Sequence, residues 1–282
     1  MLANKKIAYI FVSIGESSIE ISKKSFFKNF LDKFLSKNKK VKKDLTDIYE
    51  ITDKFISSIS RYSEKKCFSF YLNLENRHEK FINDINEYKA DRYYIFPLYP
   101  QYNRDINSIA NFFSLNFFDD IVEKFFWTKS YSHHPHFITA HQKNIKSILK
   151  KNNLDEKKSA ILFLAKKLNT HNPLYFFECE TTSQNIIKTF PYIEGHLRYF
   201  SDDYKDLKID EIRKNTIIIP ISNLIDNSEI IKNIEFLKTS LKNQKKDVFI
   251  SKTLNYNNTF IRSVFDIIDD KNFVSNEMLL SL

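Results

Sequence analysis

The feature that most constrains this chain is a set of apolar runs of strand length, each followed by an amphipathic stretch. KIAYIFVSI (6–14), SAILFLA (159–165) and NTIIIPISNLI (215–225) are the clearest. A strand with one face in water alternates apolar and polar residues. A run that is apolar at nearly every position must be covered on both faces, as in a parallel sheet between helices. Parallel neighbours also need long crossovers, usually helical.

The same alternation runs along the chain. After the first strand, Phe26, Phe27, Phe30, Leu31, Phe34 and Leu35 recur at helical spacing, and a lysine- and serine-rich segment (38–66) has weaker periodicity. CFSFYLNL (67–74) reads as a strand, and Phe81, Ile82, Ile85 and Tyr88 mark a helix. DRYYIFPLYPQYN (91–103) is a strand broken at Pro97 and Pro100. A helix near 105–114, a short strand (123–131) and a helix from Phe137 to about Lys150 follow. The pattern then restarts: strands at 159–165, 195–201, 215–225 and 246–254, and helices at 181–190, 229–242 and 259–269. The expectation is an α/β chain of two doubly wound, Rossmann-like lobes with parallel sheets and a cleft between them. The lobes divide into 1–150 and 151–282, with the closing helix free to return to the first.

Composition removes several functions. With 2 glycines in 282 residues, neither a Walker loop nor a G-x-G-x-x-G turn is present, which argues against nucleotide-fuelled or dinucleotide chemistry. The net charge of +9 comes from basic residues spread along the chain, in a composition rich in Lys, Asn, Ile, Phe and Tyr, so no nucleic-acid partner is expected. Cys67 and Cys179 are isolated and form no metal or redox motif. No apolar run approaches the roughly 18 residues of a membrane span, so a cytoplasmic protein without a transmembrane segment is expected.

FPLYPQYN (96–103) is too particular for a propensity argument, because it sets two prolines and two tyrosines at a strand tip. Here the chain resembles the ferrochelatases, which insert ferrous iron into a porphyrin. Their P-L-Y-P-Q-Y-S signature is matched from Pro97 to Tyr102, with Asn103 in place of the serine. KIAYIFVSIGES is similar to the family's opening strand and L-G-T-P turn, with Gly15 kept. SYSHHPHFITAHQKNI (130–145) matches Y-x-x-H-P-x-[YF]-I at Tyr131, His134, Pro135, Phe137 and Ile138. NPLYFFECETT resembles D-P-Y-x-x-Q-x-x-E-T at Pro173, Glu180 and Thr181, and LNYNNTF (254–260) the closing L-N-x-x-x-x-F. The resemblance implies porphyrin contacts at Ile14, Gly15, Pro97, Tyr99 and Tyr102. It implies ferrous iron and porphyrin as substrates, with no prosthetic group. Monomer or weak dimer, and peripheral contact with a membrane, stay open.

The departures fall on the chemistry. Where the family reads S-A-H-G after the strand, this chain reads Leu164-Ala165-Lys166-Lys167, so Lys166 stands at the catalytic histidine. The family's S-D-H-x-E-T corresponds to 225–230: Asp226 and Glu229 are kept and the histidine is Asn227. The arginine of a Q-S-R piece is lost at Asp202, and only SSIS (57–60) stands for an S-P-L loop. Metallation removes two pyrrole protons and delivers a divalent cation, tasks that suit a neutral imidazole. A lysine, with an ordinary pKa of about 10.4, does neither at neutral pH. Burial can lower it toward about 6, and a shift of about 3.4 units already costs roughly 4.6 kcal/mol, while Glu229 nearby favours the charged form by pairing with it.

Other donors carry blander readings. His133, His134 and His136 form the one histidine cluster, first read as non-catalytic and second as metal-binding. His171, just past the strand tip, is a weak metal candidate beside Glu229. Glu229 could also be a first-turn carboxylate favoured by the helix dipole. Phe112, Phe113, Phe117, Phe118, Phe125 and Phe126 read as core. Two functions remain: a divergent ferrochelatase acting through Glu229 with Lys166 or His171 assisting, or a catalytically impaired relative that binds a tetrapyrrole or a protein partner.

Overall fold

The computed structural model describes residues 5–15, 48–168, 172–200, 212–255 and 257–276. They fall into two compact units. The first comprises the described residues of Met1–Pro97, Arg104–Trp127 and Asn276–Leu282; the second is built from Leu98–Asn103 and Thr128–Ser275.

The first unit is a parallel sheet. Strand β1 (Ile7–Ser13) lies between β2 (Lys66–Tyr71) and β3 (Arg92–Pro97), and β3 pairs with β4 (Phe125–Thr128), each pair parallel. Every residue of β1 after Ile7 is buried, as both-face coverage requires. The helices are α1 (Ile48–Ser63), α2 (His78–Tyr88), α3 (Asp105–Asn116) and the single turn α4 (Asp119–Val122). Phe113 of α3 is the hub of an aromatic core. Its ring centroid lies 5.0 Å from Phe70, 5.4 Å from Phe81, 5.4 Å from Phe125 and 5.6 Å from Trp127.

The second unit repeats the topology. Strand β5 (Ser159–Lys166) lies between β6 (Glu194–Phe200) and β7 (Asn215–Pro220), and β7 pairs with β8 (Asp247–Ile250), all parallel. The orders β2-β1-β3-β4 and β6-β5-β7-β8 are the same. In each, the chain leaves the central strand to one side and then crosses to the other. The helices are α5 (Pro135–Lys151), α6 (Pro173–Ile187), α7 (Ser228–Asn243) and α8 (Asn258–Asp269).

Several details depart from the sequence reading. Helix α1 occupies part of the lysine- and serine-rich segment whose periodicity is weak. Ile51, Phe55, Ile56 and Ile59 form its buried stripe, and the SSIS tetrapeptide lies inside it rather than in a loop. Helix α6 begins at Pro173, eight residues before the expected 181. Asn172 Oδ1 accepts from the Tyr175 N–H at 3.2 Å and caps it, with proline in the first turn where no donor is needed. Helix α5, expected in the first lobe, packs on α6 and α8 in the second unit. Closing helix α8 stays with it, laying Phe260, Ile261, Val264, Ile267 and Ile268 against its neighbours. Phe118, expected in the core, is 79% exposed, and Phe126 is half-buried. The run expected to be helical at 26–35 lies outside the described residues.

Two predictions follow from the packing. Phe113→Ala removes the ring shared by these neighbours and lowers unfolding free energy by about 3–5 kcal/mol in chemical denaturation. His141 of α5 is buried edge-on against Phe137 (4.9 Å), and burial pushes its pKa down to about 3. The folded state therefore binds fewer protons than the unfolded chain between about pH 6.5 and pH 3. Stability from the neutral ring is complete above that window and lost as pH falls through it. His141→Phe makes unfolding measurably less acid-sensitive over that range.

Candidate active site

In an open α/β sheet, ligands bind beyond the C-terminal strand ends where successive crossovers diverge. In the second unit that point lies between β5 and β7. Strand β5 ends at Lys166, and the two strands stay paired up to Leu164 opposite Pro220. Beyond the ladder, the Ile221 N–H donates to the Leu164 carbonyl at 2.9 Å and the Lys166 N–H to Ser222 Oγ at 3.1 Å. The Tyr175 hydroxyl, from α6, donates to the Lys166 carbonyl at 2.7 Å. The Lys166 backbone is thus held from both sides, whatever its side chain.

That side chain reaches Glu229. Lys166 Nζ donates to Glu229 Oε2 at 2.8 Å, with the lysine 45% and the carboxylate 18% exposed. Glu229 sits in the first turn of α7, whose start is fixed twice. Asn227 Oδ1 accepts from the Ile230 N–H at 2.8 Å as the N-cap. Asp226, just before it, accepts from Thr253 Oγ1 at 2.7 Å and Asn255 Nδ2 at 2.8 Å, while its own N–H donates to Asn255 Oδ1 at 2.9 Å. Asn255 has φ +40°, a conformation asparagine tolerates better than most residues. Asn227 therefore does the work of a helix cap.

The pair has definite chemistry. A carboxylate held at a helix start is an oriented proton acceptor and a hard-cation ligand. An ammonium against it competes with any incoming cation and has no lone pair to offer. Exposure of the lysine screens their attraction, so the contact adds little to stability and is open to exchange with solvent or substrate.

The tyrosine–proline segment turns largely inward. Gln101 is 2% exposed, and its Nε2 donates to the Ile221 carbonyl at 3.1 Å and Thr182 Oγ1 at 3.3 Å. The Leu224 N–H donates to the Leu98 carbonyl at 3.2 Å, and Pro100 accepts from the Tyr131 N–H and Ser130 Oγ, both at 3.0 Å. The Tyr102 N–H donates to Glu178 Oε2 at 2.5 Å. Burial raises the Glu178 pKa, opposed by that amide and the Ser130 hydroxyl. Tyr99 and Tyr102 are half-buried, and the Tyr102 phenol oxygen has no hydrogen-bond partner among the described residues.

The remaining candidates divide between the units. Ile14, Gly15 and Pro97 lie in the first. Pro97 ends β3 opposite Val12, and the Ile14 carbonyl accepts from the Asn73 N–H at 2.8 Å. Gly15 has φ +75°, and a Cβ there would meet the Tyr49 hydroxyl at 3.3 Å. His171 and Asp202 lie outside the described residues. His134 caps α5, and among the described residues no group of three or more His, Cys, Asp or Glu side chains is placed to hold a metal.

Sequence reasoning missed Gln101, Glu178 and Thr182 as a buried polar group. It placed the family's acid–threonine pair at Glu180 and Thr181, but Glu180 is exposed, and the inward pair is Glu178 and Thr182. Starting α6 at Pro173 would have put Tyr175, Glu178, Cys179, Thr182 and Ile186 on one face.

The ferrochelatase family model matches residues 36–272. The chain belongs to the ferrochelatase family. Among solved structures, this ferrochelatase-family chain is similar to the sirohydrochlorin chelatase SirB from Bacillus subtilis subspecies spizizenii in complex with cobalt. Identity is 15%, with 95% of this chain and 99% of that one covered and a TM-score of 0.62. It is also similar to CbiX, the terminal enzyme for biosynthesis of siroheme in denitrifying bacteria, at 9% identity, 94% and 98% coverage and a TM-score of 0.60. No curated protein matches the sequence. At these identities the likeness is one of fold. Among the described residues no helix is long and apolar enough to cross a membrane.

Replacing Asn227 with Ala removes the α7 cap and costs about 1 kcal/mol. Asn227→Asp keeps the acceptor and, at neutral pH, most of the stability. Thermal unfolding of the two variants checks this.

Proposed function

We propose that the chain is a chelatase that inserts ferrous iron into a porphyrin, protoporphyrin IX or coproporphyrin III, through Glu229, with Lys166 holding the rate low. The observation that carries this reading is Glu229 at the capped start of α7, beside the end of β5, where an α/β sheet presents its ligand groups. Insertion exchanges two pyrrole protons for one divalent cation. Once Lys166 withdraws, the Glu229 carboxylate can take one of these protons and pass it to solvent, which also takes the second, leaving the carboxylate ionised to contact the metal. The half-exposed lysine has a flexible stem that permits this, and its ammonium accepts neither proton nor metal. In this reading Ile14, Gly15, Pro97, Tyr99 and Tyr102 contact the macrocycle, with His171 a further metal donor.

A second reading, binding of a tetrapyrrole without turnover, is favoured by the closed Lys166–Glu229 contact at 2.8 Å. Here the pair persists with ligand bound and the cation is excluded. The structural relatives whose names specify sirohydrochlorin make that tetrapyrrole a necessary comparison.

The test measures binding of protoporphyrin IX, coproporphyrin III and sirohydrochlorin by fluorescence, then Fe²⁺ or Zn²⁺ insertion by the native chain, Lys166→His and Glu229→Gln. The proposal expects tight binding of a porphyrin, slow insertion by the native chain, a faster rate in Lys166→His and about a 100-fold loss in Glu229→Gln. Turnover in Lys166→His alone establishes the second reading. Porphyrins that fail to bind, or insertion unchanged in Glu229→Gln, would overturn the assignment.

A further inference from the structure

The histidine cluster takes no part in the chemistry of Lys166 and Glu229, yet it is built into the second unit with unusual care. His134 is 3% exposed, and its Nδ1 accepts from the His136 N–H at 3.2 Å, so an imidazole serves as the N-cap of α5. A ring nitrogen accepts only when it carries no proton. The capping ring is therefore neutral with its proton on Nε2, and Nε2 stands 3.7 Å from Asp270 Oδ2, just past the end of α8.

The cap closes a turn that supports the Pro100–Gln101 corner of the chain. The His134 N–H donates to the Tyr131 carbonyl at 3.0 Å, and the Tyr131 N–H donates to Pro100 at 3.0 Å. Ser132 accepts from Thr182 Oγ1 at 3.0 Å, and the same Thr182 oxygen receives Gln101 Nε2. Opening the cap therefore disturbs residues 130–134 first and, through two hydrogen bonds, the segment at Pro100 and Gln101.

The groups that face His134 can be named. His133 and His136 come from its own segment, the latter stacked on it with ring centroids 5.4 Å apart. Asp266 comes from α8, where it lies 3.3 Å from His136 Nδ1, and Asp270 follows that helix. Phe273 covers the ring edge-on at 4.7 Å and brings no charge. Burial and the neighbouring His136 outweigh the two carboxylates and lower the His134 pKa.

We propose that His134 is a proton-operated latch: neutral, it caps α5 and holds the 130–134 turn against the Pro100–Gln101 corner; protonated, its Nδ1 becomes a donor facing the His136 donor and the turn loosens. A ring held neutral by the fold contributes its stability above the ordinary imidazole value of about 6.5 and loses it as pH falls below that value. The latch is closed at neutral pH and opens on acidification.

The test uses the full chain carrying His141→Phe, which removes the other buried titrating histidine of α5. Nitrogen-15 NMR of the imidazoles reads the His134 tautomer and titration, and amide exchange reads the His136 and Tyr131 N–H groups. The latch requires an unprotonated Nδ1 at neutral pH and a midpoint below the free imidazole value. It requires about a fivefold faster intrinsic-rate-corrected exchange of the His136 amide on going to about pH 5, the ordinary worth of an N-cap. In His134→Asn, whose amide oxygen accepts the same N–H without titrating, the exchange stays slow and loses its pH dependence. A His134 midpoint at or above the free value, or the same pH dependence in His134→Asn, overturns the latch. If that variant does not fold, the titration of the native ring decides alone.

Discussion

Burial of β5 on both faces is the constraint from which the second unit is built. Its seven residues from Ser159 to Ala165 are all buried, flanked by β6 and β7, so the strand can neither slip nor turn without exposing a full row of side chains. That fixes where the strand ends and hence where Lys166 emerges. It also fixes where β7 runs out and where the loop to α7 must begin. The position of Glu229 follows from a cap at Asn227 and an anchored carboxylate at Asp226, both local consequences of that loop. The contact between Lys166 and Glu229 is the outcome of strand register and helix capping.

The family residues kept by this chain are mostly those that hold backbone. Gln101 binds a carbonyl beyond β7, His134 caps a helix, Asp226 ties one loop to another, and Asn255 adopts a left-handed turn that its amide helps to stabilise. Losing any of them removes a hydrogen bond at a buried or part-buried site, which costs free energy. At Lys166, by contrast, it is the main chain that Ser222 and Tyr175 bind. The backbone there is held whatever the side chain, so the fold does not dictate which residue stands at 166.

How much was legible in the sequence follows the same division. Period and continuity of apolar residues were enough for both parallel sheets, because coverage on two faces leaves that mark in the chain itself. The contact between Lys166 and Glu229 was also legible, since the family alignment placed both and opposite charges at one strand tip attract. Helix α1 was obscured because its apolar stripe is set among serines and lysines. Those serines bond back to carbonyls of their own segment, as Ser58 does to Lys54 at 2.8 Å. The Glu178 and Thr182 pair was obscured because a motif was read without the helix that carries it, and helical phase alone decides which of four neighbouring residues turns inward. The unit boundary was not legible, since assigning α5 to the second unit depends on long-range packing against α6 and α8.

A fold shared at 9–15% identity says where a ligand group will be displayed and nothing about which group stands there. In this chain the display is intact: a capped helix start, a carboxylate in its first turn, and a central strand ending beside it. Beside that carboxylate stands the ammonium of Lys166, a lasting positive charge and not a group that titrates near neutrality. An imidazole near neutrality can be vacated or filled by a proton with little cost, so it can trade protons with a macrocycle and then bind a cation. An ammonium holds its proton and repels the cation, and here it is also paired with the Glu229 carboxylate. The two effects act in the same direction, so a cation reaches Glu229 only when Lys166 is drawn away from it. The half-exposed lysine and the more protected carboxylate make the lysine the partner that moves.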